Sequence, residues 1–295
     1  MSGMRTGICT TDFEPSTHLP YSADTLFGKI SAMGYTCTQF SFSSISETEF
    51  SPNGQIEIPH VIPSSAVSAA EKASAKFSVP ICVINGTFNM AHPDEEVRAE
   101  GLRRLSILMD AANSLGCRMI SLCSGSGNRD HLWRPSPENT EKSAWDRMFS
   151  TMVRAVEEAE HKNIILAIES EASNVIQTPE TARRVMDEIG SDKLKMILDC
   201  ANLFHRGTAH PENVRDTISR AFDYYGDDIV IAHGKDIREG DGIDFCGTGL
   251  GIVDFGFTAM MLKKYGYTGD MFLHGIYDED YMPKAREFWE KAVLL

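Results

Sequence analysis

The strongest constraint on this chain is an alternation. Short β-branched runs and longer stretches of helical period follow one another eight times. The pattern predicts strands at 6–10, 36–42, 79–84, 119–123, 164–169, 195–199, 229–233 and 271–274, with helices near 22–33, 63–77, 94–115, 138–161, 179–189, 211–224, 255–265 and 282–293. Within 94–115, Val97, Leu102, Leu105, Leu108, Met109 and Ala112 form an apolar stripe, and Glu95, Glu96, Arg98, Arg103 and Arg104 mark the wet side. Strands joined through helices run parallel and are covered by those helices. With no Pro/Ser-rich linker or break in composition, the units predict one α/β domain over residues 1–295, a (β/α)8 TIM barrel, with an open doubly wound sheet as the other arrangement.

Charge narrows the partners. Lys and Arg number 28 against 42 Asp and Glu, a formal charge of -14, so the chain repels nucleic acid and anionic membrane surfaces. No apolar run has bilayer length, and residues 1–11 lack the basic-then-apolar layout of an export signal, so the expected location is cytoplasmic. The seven cysteines, Cys9, Cys37, Cys82, Cys117, Cys123, Cys200 and Cys246, are odd in number and include no CxxC pair. They read as free buried thiols rather than a disulfide frame or a zinc cluster.

In a barrel of this kind, side chains at the C-terminal ends of the strands share one mouth. Glu169, Asp199, His233 and His274 end the last four expected strands. Two carboxylates and two imidazoles brought together suit a divalent cation, Mn²⁺ first, with Zn²⁺, Co²⁺ or Mg²⁺ as alternatives. Each residue alone also reads as a strand-end cap or a satisfied buried polar group. Recurrence at one register in four successive strands makes the joint case.

The chain resembles the xylose isomerase-like TIM-barrel superfamily, in particular the sugar phosphate isomerase/epimerase group with D-tagatose 3-epimerase-like enzymes and myo-inosose dehydratase. The resemblance rests on Ile84-Asn85-Gly86-Thr87-Phe88-Asn89-Met90 with His92-Pro93-Asp94, Leu122-Cys123-Ser124-Gly125-Ser126, Trp133 with Pro137-Glu138-Asn139, and Ala167-Ile168-Glu169-Ser170-Glu171 with Asn174. Further along it rests on Leu198-Asp199-Cys200-Ala201-Asn202, His233-Gly234-Lys235-Asp236, Gly247-Thr248-Gly249 and Phe272-Leu273-His274-Gly275. It implies a metal held by a Glu, an Asp, a His and a second Glu. Glu169, Asp199 and His233 match the first three positions, and His274 stands where the family has its second Glu. That departure matters, because the family epimerases use the two glutamates as acid and base on opposite faces of the substrate.

The implied activity is metal-dependent isomerisation or epimerisation of a small sugar or keto-sugar through an enediolate, and the alternative is a lyase, either a dehydratase or a 3-keto-glycoside deglycosylating enzyme. Glu169 is the expected base, His274 is either a ligand and proton carrier or stands outside a metal held by three protein ligands plus water, and Lys235 is a partner for a developing oxyanion. Glu171, Asn202, Trp133 and Asn89 are the expected substrate contacts, and each has an ordinary structural reading: a loop-amide partner, a turn residue, core filler and a loop residue. Asp236 orients a ligand or pairs with Lys235. His131, His205 and His210 are expected in loops, and Asp278-Glu279-Asp280 at the charged start of the last helix. A zinc endonuclease of the same superfamily fits neither the acidic balance nor the sparse ligand set. A non-catalytic sugar-binding barrel and a homo-oligomer both remain open.

Overall fold

The computed structural model describes residues 4–13, 21–45 and 54–294. Eight parallel strands close on themselves in the order β1-β10-β7-β6-β5-β4-β3-β2. They are β1 (Thr6–Cys9), β2 (Cys37–Phe40), β3 (Ile81–Asn85), β4 (Met119–Leu122), β5 (Ile165–Glu169), β6 (Leu194–Asp199), β7 (Ile229–Gly234) and β10 (Met271–Leu273). The helices between them are α1 (Ala23–Ala32), α2 (Ser64–Phe77), α3 (Glu95–Ser114), α4 (Lys142–Lys162), α5 (Pro179–Ile189), α6 (Val214–Tyr225), α7 (Phe255–Lys264) and α8 (Met282–Ala292). The closed barrel is therefore the architecture, and the open sheet is not.

Local chemistry sets the ends of these elements. Thr178 and Thr181 form a capping box before α5, Pro179 occupies its first turn, and Gly190 leaves it at φ 65°. Two expected helices open on short 3₁₀ turns, Pro137–Thr140 before α4 and Pro211–Asn213 before α6, so their α-helical parts begin later than the pattern suggests. The third strand starts at Ile81 because Pro80 has no N–H to give a ladder; its carbonyl still accepts from Thr38 at 3.0 Å. The acidic stretch at 278–280 lies just ahead of α8, where Glu279 pairs with Lys29 of α1 at 2.5 Å.

An antiparallel pair, β8 (Asp236–Ile237) with β9 (Phe245–Cys246), was not expected from the sequence. Its strands are too short for a periodicity, and a polar, Gly-containing stretch joins them. Among the described residues no helix is long and apolar enough to cross a membrane.

The lumen explains where a site can form. Cys37, Val83, Ala167, Ile197, Ile231 and Phe272 pack together inside the barrel as an apolar plug. Alternate residues of a strand share a face, so two positions further along these strands come Gln39, Asn85, Glu169, Asp199, His233 and, just past β10, His274. A dry layer is thus capped by a polar one. Gly7 belongs to the plug because a Cβ there would meet Phe272 at 2.7 Å and Cys37 Sγ at 2.8 Å.

Candidate active site

Glu169, Asp199 and His233 stand side by side on three neighbouring strands, with Glu169 in register with Ile197 and Asp199 in register with His233. One ligand atom from each lies within 4.8 Å of the others. His233 Nδ1 is 3.5 Å from Glu169 Oε2 and 3.7 Å from Asp199 Oδ2. These three atoms are buried and have no hydrogen-bond partner. Buried polar atoms are rarely left so, and three of them facing one point fit a divalent cation between them.

The surroundings hold the trio in place. Gln39 Nε2 donates to Ser121 Oγ at 3.2 Å, so its carbonyl Oε1 faces His233 Nε2 at 2.9 Å. A carbonyl only accepts, so the ring proton sits on Nε2 and the Nδ1 lone pair is left for the trio. Asp199 Oδ1 is fixed by the amides of Ala201 and Asn202 at 3.1 and 3.3 Å. Burial works against charge here, but Lys235 and His233 outweigh it and hold the Asp199 carboxyl below the usual range. For His233, burial is likewise outweighed, by Asp199 and Glu169, and its pKa is pushed up to about 9. A proton on that ring answers the same two carboxylates that a cation would.

Lys235 is buried, with Nζ 3.4 Å from Asp199 Oδ2, 4.1 Å from the centre of the Phe245 ring and hydrogen-bonded to Asn202 Oδ1. Burial disfavours its charge, yet Asp199, Glu171 and Glu169 together raise its pKa. Glu171 is buried as well, accepts from Ser173 N and Oγ at 3.1 and 3.0 Å, and has its pKa raised by that burial.

His274 stands apart from the trio. Its Nδ1 lies 3.1 Å from Asp12 Oδ1, and its ring centre is 5.5 Å from that of His233. Asp12 is fully enclosed and also accepts from the amides of Gly275 and Ile276, so the Asp12 carboxylate anchors the whole turn after β10. With Nδ1 taken by Asp12, only Nε2 of His274 is left for other work. The group of convergent ligand atoms contains Glu169, Asp199 and His233, and His274 lies outside it.

A cleft of about 500 Å³ opens above the trio, within the size range of small-molecule sites. Glu169, Glu171, Trp133, Lys235, His233 and His274 face it. Trp133 Nε1 donates to Glu57 Oε1 at 2.7 Å, and Asn85 donates to Glu57 Oε2 at 3.1 Å, so the indole is pinned against the cleft wall. Asn202 lies beneath Lys235 rather than on the cleft wall. Asn89 gives way as a substrate contact. It is fully buried, with its amide donating to Gln55 and Ser126 and its carbonyl accepting from Ser126 and Ala91. Asp236 neither orients a ligand nor pairs with Lys235; it accepts from the amides of Ile237, Gly249, Gly251 and Val253 and shapes the loop after β9.

Sequence reasoning missed Gln39, Asp12 and Glu57. Gln39 had a usable signal, since it occupies on β2 the same strand-end position as Glu169 on β5. Asp12 and Glu57 lie outside the strands and had none.

The family described as "Xylose isomerase-like TIM barrel" matches residues 27–292. Solved structures agree in fold. A D-tagatose 3-epimerase-like protein is 18% identical with a TM-score of 0.72, covering 99% of this chain and 97% of the other. The 3-keto-D-glucoside 4-epimerase YcjR from E. coli is 16% identical at a TM-score of 0.68, over 99% of this chain and all (100%) of its own. The IOLI protein with a bound zinc atom is 14% identical at 0.69, over 99% and 97%. No curated protein matches the sequence.

Proposed function

The chain belongs to the xylose isomerase-like TIM barrel family, and from that premise we propose that it is a divalent-metal-dependent isomerase or epimerase of a small sugar or keto-sugar, passing through an enediolate. The observation that carries the proposal is the convergence of Glu169 Oε2, Asp199 Oδ2 and His233 Nδ1, buried and without a hydrogen-bond partner, beneath a cleft of small-molecule size. Mn²⁺ suits two carboxylates with one imidazole, and Zn²⁺, Co²⁺ and Mg²⁺ are the alternatives. The zinc atom of the IOLI structure supports a divalent ion on this fold. When bound, such an ion polarises a substrate carbonyl and steadies negative charge on neighbouring oxygens.

This chain's residues do the rest. Glu169 and His274 stand at the two ends of a four-strand arc, β5-β6-β7-β10, with Asp199 and His233 between them. Glu169 takes the proton from the carbon next to the carbonyl. His274 carries a proton on Nε2 at the other end, in the role its family position gives to a glutamate, and Asp12 keeps that nitrogen free by holding Nδ1. Lys235 presents its charge to a substrate oxygen, and Asn202 steadies Lys235. Trp133 offers its ring face to the sugar, and Glu171 contacts it from the deep side of the cleft.

The test is hydrogen exchange in D₂O, followed by NMR over a panel of ketoses and 3-keto-glycosides with Mn²⁺, Co²⁺, Zn²⁺ or Mg²⁺. Metal-dependent deuterium uptake at the α-carbon, with no atoms lost from the sugar beyond that exchange, is expected. A panel-wide absence of uptake overturns the proposal, and a product that has lost water or an aglycone replaces it with a lyase.

Gln39→Leu gives a milder result. Without the carbonyl that fixes the His233 tautomer, affinity for the cation is expected to fall ~10- to 100-fold while the fold stays intact. Calorimetric titration of the variant with Mn²⁺ reads this directly, and an unchanged affinity removes Gln39 from the site.

A further inference from the structure

At the opposite end of the barrel, away from the cleft, four side chains on adjoining strands gather around two sulfur atoms. Cys37 opens β2, Cys82 lies in β3, and Arg5 and Asp270 immediately precede β1 and β10. Ligand-type atoms of Cys37, Cys82 and Asp270 all lie within 4.8 Å of one another. Arg5 Nη2 is 3.1 Å from Cys82 Sγ, and the same guanidinium grips Asp270 through Nε at 3.0 Å and Nη2 at 2.7 Å.

The ladder between β2 and β3 makes this meeting happen. Thr38 pairs with Ile81 but Gln39 pairs with Val83, so Cys82 is the extra residue of a bulge. Cys37 is fully buried in the barrel plug, and Cys82 packs against that plug while keeping some solvent exposure. The other six cysteines are all buried. This corrects the reading of the cysteines as uniformly buried thiols.

From this geometry we propose that Cys82 and Cys37 form an oxidant-reactive dithiol, in which Cys82 is attacked by a hydroperoxide and Cys37 closes the disulfide. A thiolate is the nucleophile in such chemistry, and a guanidinium in contact with sulfur stabilises one. The hydrogen bond with Cys37 is the leading influence that lowers the Cys82 pKa; Arg5 adds to it against opposing burial. The hydrogen bond with Cys82, followed by burial, raises Cys37, and burial raises Cys9, Cys117, Cys123, Cys200 and Cys246. The guanidinium already supplies the positive charge that a bound metal ion would bring, which favours thiol chemistry here over a second metal site.

The Cys82 thiolate attacks the outer oxygen of a hydroperoxide, the O–O bond breaks, and an alkoxide or hydroxide leaves with the electron pair and takes up a proton. Cys82 is then a sulfenic acid. The Cys37 sulfur attacks the Cys82 sulfur, the S–O bond breaks, and water leaves with the Cys37 proton. The peroxide is reduced by two electrons and the two thiols are oxidised to one disulfide. The sulfurs sit on neighbouring strands, so side-chain rotation has only a short gap to close.

Mass spectrometry of the full-length protein tests this. With hydrogen peroxide, the wild type is expected to lose two hydrogens and to give one crosslinked peptide pair containing Cys37 and Cys82. In Cys37→Ser, a dimedone adduct should accumulate on Cys82, and Arg5→Gln should slow the reaction about 10-fold. Iodoacetamide at neutral pH and limiting amount should mark Cys82 first in the unmodified protein, a readout that needs no variant to fold. Labelling spread evenly over other cysteines, or peroxide oxidation that proceeds at an unchanged rate in Cys82→Ser, overturns the proposal.

Discussion

Glu169→Gln is expected to lower α-hydrogen exchange by about 10³-fold or more, to the point where turnover is lost. The variant keeps the shape of the side chain and removes both of its proposed functions. An amide accepts no proton from carbon, and its NH₂ group is directed at His233 Nδ1 and Asp199 Oδ2, the two atoms now without a hydrogen-bond partner. Hydrogen bonds from that NH₂ would close the trio on itself and displace a cation, so affinity for Mn²⁺ falls together with rate. Thermal stability should hold or rise, because a buried charge is replaced by a neutral group whose NH₂ finds acceptors. The decisive measurements are the NMR exchange rate, metal content after dialysis and the melting temperature of the same preparation. An exchange rate within about 10-fold of wild type would remove Glu169 as the base, and an unfolded variant would be exposed by the melting curve rather than mistaken for a catalytic loss.

The barrel was legible because it rests on a coarse signal repeated many times. Each strand need only be apolar, short and followed by an amphipathic helix, and eight repetitions tolerate errors of a residue or two at Pro80 or Pro211. The convergence of Glu169, Asp199 and His233 was legible for a related reason: each lies two residues beyond a lumen-filling Ala167, Ile197 or Ile231, so one rule of strand geometry applies to all three. What stayed hidden depends on contacts between segments far apart in the chain. Asp12 reaches His274 across 262 positions, and Glu57 reaches Trp133 across 76. Neither has a periodicity or spacing to betray it. The bulge that brings Cys82 beside Cys37 is a one-residue slip between β2 and β3, and composition has no means of recording a slip.

His274→Ala separates two roles that the family position confounds. If His274 carries a proton and does not bind the ion, the variant is expected to retain metal at the wild-type stoichiometry while exchange falls by about 10²- to 10³-fold. The geometry favours this result, since Asp12 takes Nδ1 and the convergent ligand atoms come from three other residues. Asp12→Asn supplies the second arm. Its weaker acceptor leaves the imidazole less firmly held, so rate should fall by a smaller factor of about 10 with KM little changed. The double variant should be no slower than His274→Ala alone, because the effect of Asp12 on rate passes through the ring it orients and two residues of one unit do not add. Loss of metal in His274→Ala would make the residue a fourth ligand, and unchanged metal with unchanged rate would remove it from the site altogether. A double variant far slower than either single one would show that Asp12 acts through the turn at Gly275 and Ile276 rather than through His274.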